Sequence, residues 1–126
     1  MITGFLPRED YLSLLKSADL YIDSFYPSDG RGGQAFGQAL LEAMADGVPT
    51  IVADRPTLHL SPEWYHGEIF KGGNHVELAD KIVALIENGA KYNIIRENNL
   101  ASVKNYFDWN KNMDIIEREL YLRWQQ

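Results

Sequence analysis

Gln34, Gln38 and Glu42 recur every four residues within "GRGGQAFGQALLEAMADG", the stretch from Gly30 to Gly47. On a helix that spacing puts the three polar side chains on one stripe. The residues between them, Ala35, Phe36, Ala39, Leu40, Leu41, Ala43, Met44 and Ala45, are apolar nearly all round, as in a buried helix. A carboxylate on such a helix is costly unless a partner satisfies it. Spacing leaves two readings open: the stripe is the solvent face, or Glu42 meets the hydroxyl pair of a ligand. The glycines ahead of the helix speak to the second. Gly30, Gly32, Gly33 and Gly37 free the backbone so that N–H groups can converge at a helix N-terminus, where the dipole favours phosphate.

Other residue groups compete with this one. Gly30–Ala35 fits G-x-G-x-x-A, and Asp54 ends the next strand, which imitates a dinucleotide fingerprint with its ribose acid. The fit is poor, because Tyr26 to Asp29 separate the first glycine from the strand. His59, Glu63 and His66 could form a metal trio, yet they lie in a proline-broken loop with no standard ligand spacing, and there is no D-x-D pair. Asp19 and Asp23 flank a strand and read as end residues. Arg55 sits at a strand end facing the same side as the glycine loop, where it could approach a phosphate or stand as a solvated loop residue.

The elements that must position these residues follow from periodicity and breakers. Met1–Phe5 is a candidate strand. Arg8–Ser17 carries Tyr11, Leu12, Leu14 and Leu15 at helical spacing. Ala18–Phe25 reads as a strand and "YPSDGRGG" as the loop behind it. The central helix runs from about Gln34 to Asp46 and stops at Gly47, a natural residue just past a helix end. Pro49–Asp54 is a short apolar run of the kind parallel sheets bury on both faces. "GEIFKGG" supplies a last strand. Asn74 caps a helix with Val76, Ala79, Ile82, Val83 and Ile86 on one face, ended by Gly89. Lys91–Tyr106 is a further helix. Asp108 caps the last one, with Met113, Ile116, Leu120 and Trp124 in period and Trp109 as a core anchor.

Alternating strands and helices predict βαβ units, an α/β fold with a mostly parallel, Rossmann-like sheet and flanking helices. Ligands in such sheets bind beyond the carboxyl ends of the strands, where the loops after Phe25 and Ala53 lie. The 126 residues fit one domain, 1–126. Twelve Lys and Arg against eighteen Asp and Glu give a net charge of −6, which argues against a phosphate-backbone binder of nucleic acid, and no run of Lys and Arg marks a local basic patch. The absence of cysteine excludes a disulfide framework and thiolate metal sites. No apolar run is long enough to span a membrane, and a cytoplasmic protein is the expectation.

Four blocks in order carry a family resemblance: "ITGFLPREDYLSLLKSADLYI", "FGQALLEAMADGVPTI", "GEIFKGGNHVELADKIVALIENG" and "YFDWNKNMDIIERELY". The sequence resembles the C-terminal, donor-binding domain of retaining GT-B glycosyltransferases of the glycosyl transferases group 1 (family 4) type, beginning after that domain's first strands. The resemblance implies a nucleoside diphosphate sugar as co-substrate, with no resident cofactor and no metal. The family's second acid, which accepts hydrogen bonds from the ribose hydroxyls, falls on Glu42. Its first acid falls on Gln34, which can bond a sugar hydroxyl but carries no negative charge. Gly33, Ala35, Phe36, Gly37 and Gln38 take the places that line the donor sugar and diphosphate, the backbone N–H groups of Ala35, Phe36 and Gly37 pointing toward them.

The resemblance also implies partners outside this chain. An acceptor sugar, lipid or protein would be brought by an N-terminal domain, and basic residues that neutralise the diphosphate would lie upstream. A full-length enzyme could be membrane-peripheral. The strand edges left without their family neighbours predict a rearranged sheet or a homo-oligomer. Two functions stand at this point: the donor-binding part of a sugar transferase that does not act alone, and a non-catalytic nucleotide-binding or assembly module that keeps the fold without the chemistry.

Overall fold

A computed structural model of the chain describes residues 3–24, 37–59 and 63–125. Helix α1 (Arg8–Lys16) leads to strand β1 (Tyr21–Asp23), then α2 (Gln38–Ala45), β2 (Thr50–Ala53), a 3₁₀ turn (Pro56–His59), β3 (Glu68–Phe70), α3 (His75–Glu87), α4 (Gly89–Tyr106) and α5 (Trp109–Trp124). The described strands form one parallel sheet in the order β1-β2-β3. The α/β expectation holds.

β2 is the central strand, and all four of its residues are fully buried. Its alternation distributes the core. Val52 packs with Leu40 and Met44 of α2 and with Leu58, Trp64 and Tyr65. Ile51 and Ala53 point the other way, into a cluster with Phe70, Leu85 of α3 and Ile95 of α4. Each fully buried side chain of this size contributes about 1.5–3 kcal/mol. α4 serves both faces, with Ile95 in one cluster and Val103 against the other. Between them Asn99 passes the start of β2 and donates to the Val48 carbonyl at 2.9 Å.

The ends of the helices follow the sequence closely. Asn74 accepts from the Glu77 amide, and Asp108 from the Lys111 amide, satisfying donors that a helix start leaves open. Gly47 follows the α2 C-cap at φ +70°, a conformation costly for any residue with a Cβ. Gly89 departs from expectation. Asn88 caps α4 through the Lys91 amide, so Gly89 opens a helix rather than closing one.

Four other expectations fail for identifiable reasons. Met1 and Ile2 lie outside the described residues, and Thr3–Phe5 are not strand. Gly4 turns the backbone at φ +66°, and Phe5 is 99% exposed, so a pleat there would bury nothing. Gly37, expected within the central helix, has an extended ψ of 137° and caps α2, which begins at Gln38, while Gln34–Phe36 lie outside the described residues. α3 turns a different stripe inward: Leu78, Ile82 and Leu85 pack, while Val76, Val83 and Ile86 are exposed. This rotation lets Lys81 reach Glu68 on β3. α5 forms, but none of its residues is buried, and Trp109 is 73% exposed. The aromatic anchor is Phe107 instead, edge-on to Trp64 at 5.5 Å between centroids.

Glu68 ties three elements together. Its carboxylate is held by Lys81 at 3.0 Å and Lys91 at 2.5 Å. Burial alone would push its carboxyl up, but the two lysines outweigh this and hold it below its ordinary 4.5. A depressed carboxyl pKa stabilises the fold above the unfolded value and ceases to do so as pH falls through the folded one. Glu68→Gln should therefore melt about 2–4 °C lower than the parent at pH 7. That gap should close in melts taken progressively below pH 4.5, the ordinary value.

Candidate functional site

The carboxyl ends of β1 and β2 and the start of α2 share one side of the sheet. α2 follows β1, so its N-terminus faces the crevice where parallel sheets bind ligands. Gly37 is its N-cap, with no side chain capping the first amides. A Cβ at Gly37 would meet nothing within 4 Å and its φ is ordinary, −59°. Neither packing nor backbone conformation within the described structure calls for glycine there.

Gln38 opens α2, and Glu42 follows one turn later on the same stripe. The Glu42 side chain is 15% exposed. Its Oε1 accepts from Gln38 Nε2 at 2.9 Å and from Arg8 Nη2 at 2.5 Å. Neither of them engages Oε2. Tyr11 of α1 stands beside this carboxylate. Burial first, and then the Glu42 charge and a hydrogen bond to the Glu42 side chain, raise its phenol pKa. An open cleft of about 340 Å³ runs between α1 and α2, with Glu42, Lys16 and Asp46 on its walls.

A second polar group lies across the strand ends. Arg55 Nη2 donates to Asp23 Oδ2 at 2.5 Å, joining the ends of β1 and β2. Arg55 is only 8% exposed, so it is not a solvated loop residue. Beyond it His59 Nε2 meets Asp54 Oδ1 at 2.5 Å in a largely exposed pair. Glu63 instead accepts from the Tyr106 hydroxyl. Among the described residues no group of three or more His, Asp or Glu side chains is gathered to hold a metal ion. No described helix is long and apolar enough to cross a membrane.

Comparison with known proteins identifies the family of the chain. The model of the family described as glycosyl transferases group 1 matches residues 1–101. The chain belongs to that family. An uncharacterised glycosyltransferase of Methanocaldococcus jannaschii is 27% identical over 116 residues, covering 88% of this chain and 27% of the relative. A phosphatidyl-myo-inositol mannosyltransferase of Mycobacterium leprae is 32% identical over 100 residues, 75% of this chain and 24% of its own length. The chain thus spans about a quarter of the curated relatives it matches. Among solved structures, a sucrose-phosphate synthase from Thermosynechococcus elongatus superposes with a TM-score of 0.73 at 23% identity, covering 98% of this chain and 30% of that one. This likeness carries the fold, that of a GT-B glycosyltransferase.

Within this group 1 glycosyltransferase domain, the structure brings together Gly37, Gln38 and Glu42 at the start of α2. Gly33, Gln34, Ala35 and Phe36 lie outside the described residues. Sequence reasoning missed Arg8 and Tyr11. One signal pointed to Arg8: a cation at the first position of a helix opposes the macrodipole, which suggests that something else holds it.

Proposed function

We propose that this chain forms the donor-binding part of a retaining, family 4 type glycosyltransferase and takes a nucleoside diphosphate sugar. The observation that carries the reading is Glu42, a mostly buried carboxylate at the carboxyl-end crevice whose Oε1 is held by Arg8 and Gln38 while Oε2 is engaged by neither. A vicinal ribose diol supplies the two donors such a group accepts. The uncapped amides of α2 suit the diphosphate, and Gly37 leaves the backbone open to it. Gly33, Ala35 and Phe36 would add backbone donors, and Gln34 would contact the sugar ring. In the whole enzyme the bond from the anomeric carbon to the diphosphate oxygen breaks. An acceptor hydroxyl oxygen takes its place and loses its proton, and the nucleoside diphosphate departs. The scheme asks for no metal and no resident cofactor. One relative is named a mannosyltransferase, in keeping with sugar transfer.

Titration of UDP and GDP by calorimetry tests the reading. Glu42→Ala should weaken binding about tenfold to a hundredfold, the loss of hydrogen bonds to a charged acceptor. Absence of binding at millimolar nucleotide, or binding unchanged in Glu42→Ala, would overturn it. A second reading, a nucleotide-binding module without turnover, is favoured by Gln34 in the place of the family's first acid. Release of sugar from a bound nucleotide sugar by the protein that bears this chain decides between the two.

A further inference from the structure

The ion pair at Glu42 is built unlike a stabilising contact. Arg8 comes from a different element, 34 residues away in sequence. Its side chain is 59% exposed, a setting in which ion pairs add little to stability. It stands at the first position of α1, where the helix dipole disfavours a cation. What the pair does achieve is orientation. Arg8 and Gln38 both engage Oε1, which fixes the plane of the carboxylate and leaves Oε2 to other donors. The guanidinium also offsets a negative charge that would otherwise repel a diphosphate.

We infer that Arg8 is the positioning residue of the nucleotide site. It pins Glu42 through Oε1 so that Oε2 is presented to the ribose hydroxyls. Tyr11, whose hydroxyl lies against the same carboxylate, supplies the adjoining polar wall. This inference rests on the donor-site reading above and adds a residue from α1 to it. Arg8 touches the carboxylate and not the reacting atoms, so its signature is selectivity for ribose, not turnover.

The experiment compares UDP and GDP with their 2′,3′-dideoxy analogues by calorimetry, in the parent protein and in Arg8→Met and Arg8→Lys. The parent should prefer the ribose form by about tenfold or more, as expected for two hydrogen bonds to a charged acceptor. Arg8→Met should cut that preference to about threefold or less, with a melting temperature within about 2 °C of the parent. Arg8→Lys keeps the charge but loses the planar fork, and should fall between them. An undiminished ribose preference in Arg8→Met would overturn the role of Arg8 while leaving the Glu42 reading intact. A parent protein that binds both forms equally would overturn both.

Discussion

Gly67→Ala should prevent stable folding or lower the melting temperature by about 12–25 °C. Gly67 lies where the chain enters β3, and its Cα hydrogen fills a space with no room for a methyl group. A Cβ there would stand 2.3 Å from the Thr50 hydroxyl, 2.3 Å from the Tyr65 hydroxyl and 2.6 Å from the Thr50 carbonyl oxygen. None of the three can yield cheaply. The Thr50 carbonyl belongs to the backbone of β2. The Thr50 hydroxyl is fully buried, donates to Tyr65 at 3.1 Å and lies 3.5 Å from Asn99 Nδ2. The Tyr65 ring is fixed in the core, and its hydroxyl sits 3.1 Å from the Glu68 carbonyl. Relief requires β3 to part from β2.

Overpacking of this kind costs about 1–3 kcal/mol and occasionally more. Stranding buried hydroxyls adds about 1–3 kcal/mol. Together these take a large share of the roughly 5–15 kcal/mol that holds a domain folded. Thermal melts followed by circular dichroism read the effect. Gly89→Ala is the control: it opens a helix with nothing within 4 Å of the new methyl, and should leave stability unchanged within about 1 kcal/mol. Tyr65→Phe in the Gly67→Ala background removes one colliding atom and should recover part of the loss. A Gly67→Ala protein melting within about 3 °C of the parent would show that the strands separate easily and refute the packing account.

What sequence could and could not disclose divides along physical lines. Features set by neighbours in the chain were legible: the buried run of β2, the caps Asn74 and Asp108, and the left-handed turn at Gly47. Each depends on local backbone demand or on an apolar run that no exposed strand would carry. Choices between near-equal faces were not legible. α3 carries two overlapping apolar stripes that share Ile82, and the stripe with Leu78 and Leu85 is the one that meets Ile51, Phe70 and Ile95, residues of other elements. α5 has a clean period yet buries nothing among the described residues, because periodicity states what a helix can cover and not what lies beside it. The site shows the same division. Glu42 stood out as a charge on an apolar helix, whereas Arg8 acquires meaning only once α1 is laid against α2. Arg55 was misread for a similar reason: a loop position next to a strand end looks solvated until Asp23 is brought alongside it.

That ion pair carries the second large expected effect. Asp23→Ala should cost about 3–5 kcal/mol, because it leaves the Arg55 guanidinium buried without its counter-charge. The side chains are 7% and 12% exposed, with 2.5 Å between Nη2 and Oδ2. Arg55 Nε is also buried, with no hydrogen-bond partner among the described residues, so the guanidinium is already under-satisfied before Asp23 is removed. The Asp23 charge reaches its neighbours as well: the Tyr21 phenol is pushed up to about 12, by burial first and by Asp23 next. Thermal melts should show Asp23→Ala about 12–20 °C below the parent, with Arg55→Ala also destabilising because it removes the counter-charge of the Asp23 carboxylate. Replacing both partners by apolar side chains of similar size, Asp23→Leu with Arg55→Met, should recover most of the loss, since a buried pair repays little more than its own desolvation. The double-mutant cycle then gives a coupling of several kcal/mol. If Asp23→Ala costs less than about 1 kcal/mol, the pair is solvated in solution as an ordinary surface contact would be, and Arg55 would be free to turn toward the crevice. Nucleotide titration of the double variant separates those roles. Unchanged affinity marks the pair as a clasp between β1 and β2, and a tenfold loss marks Arg55 as a ligand for the diphosphate.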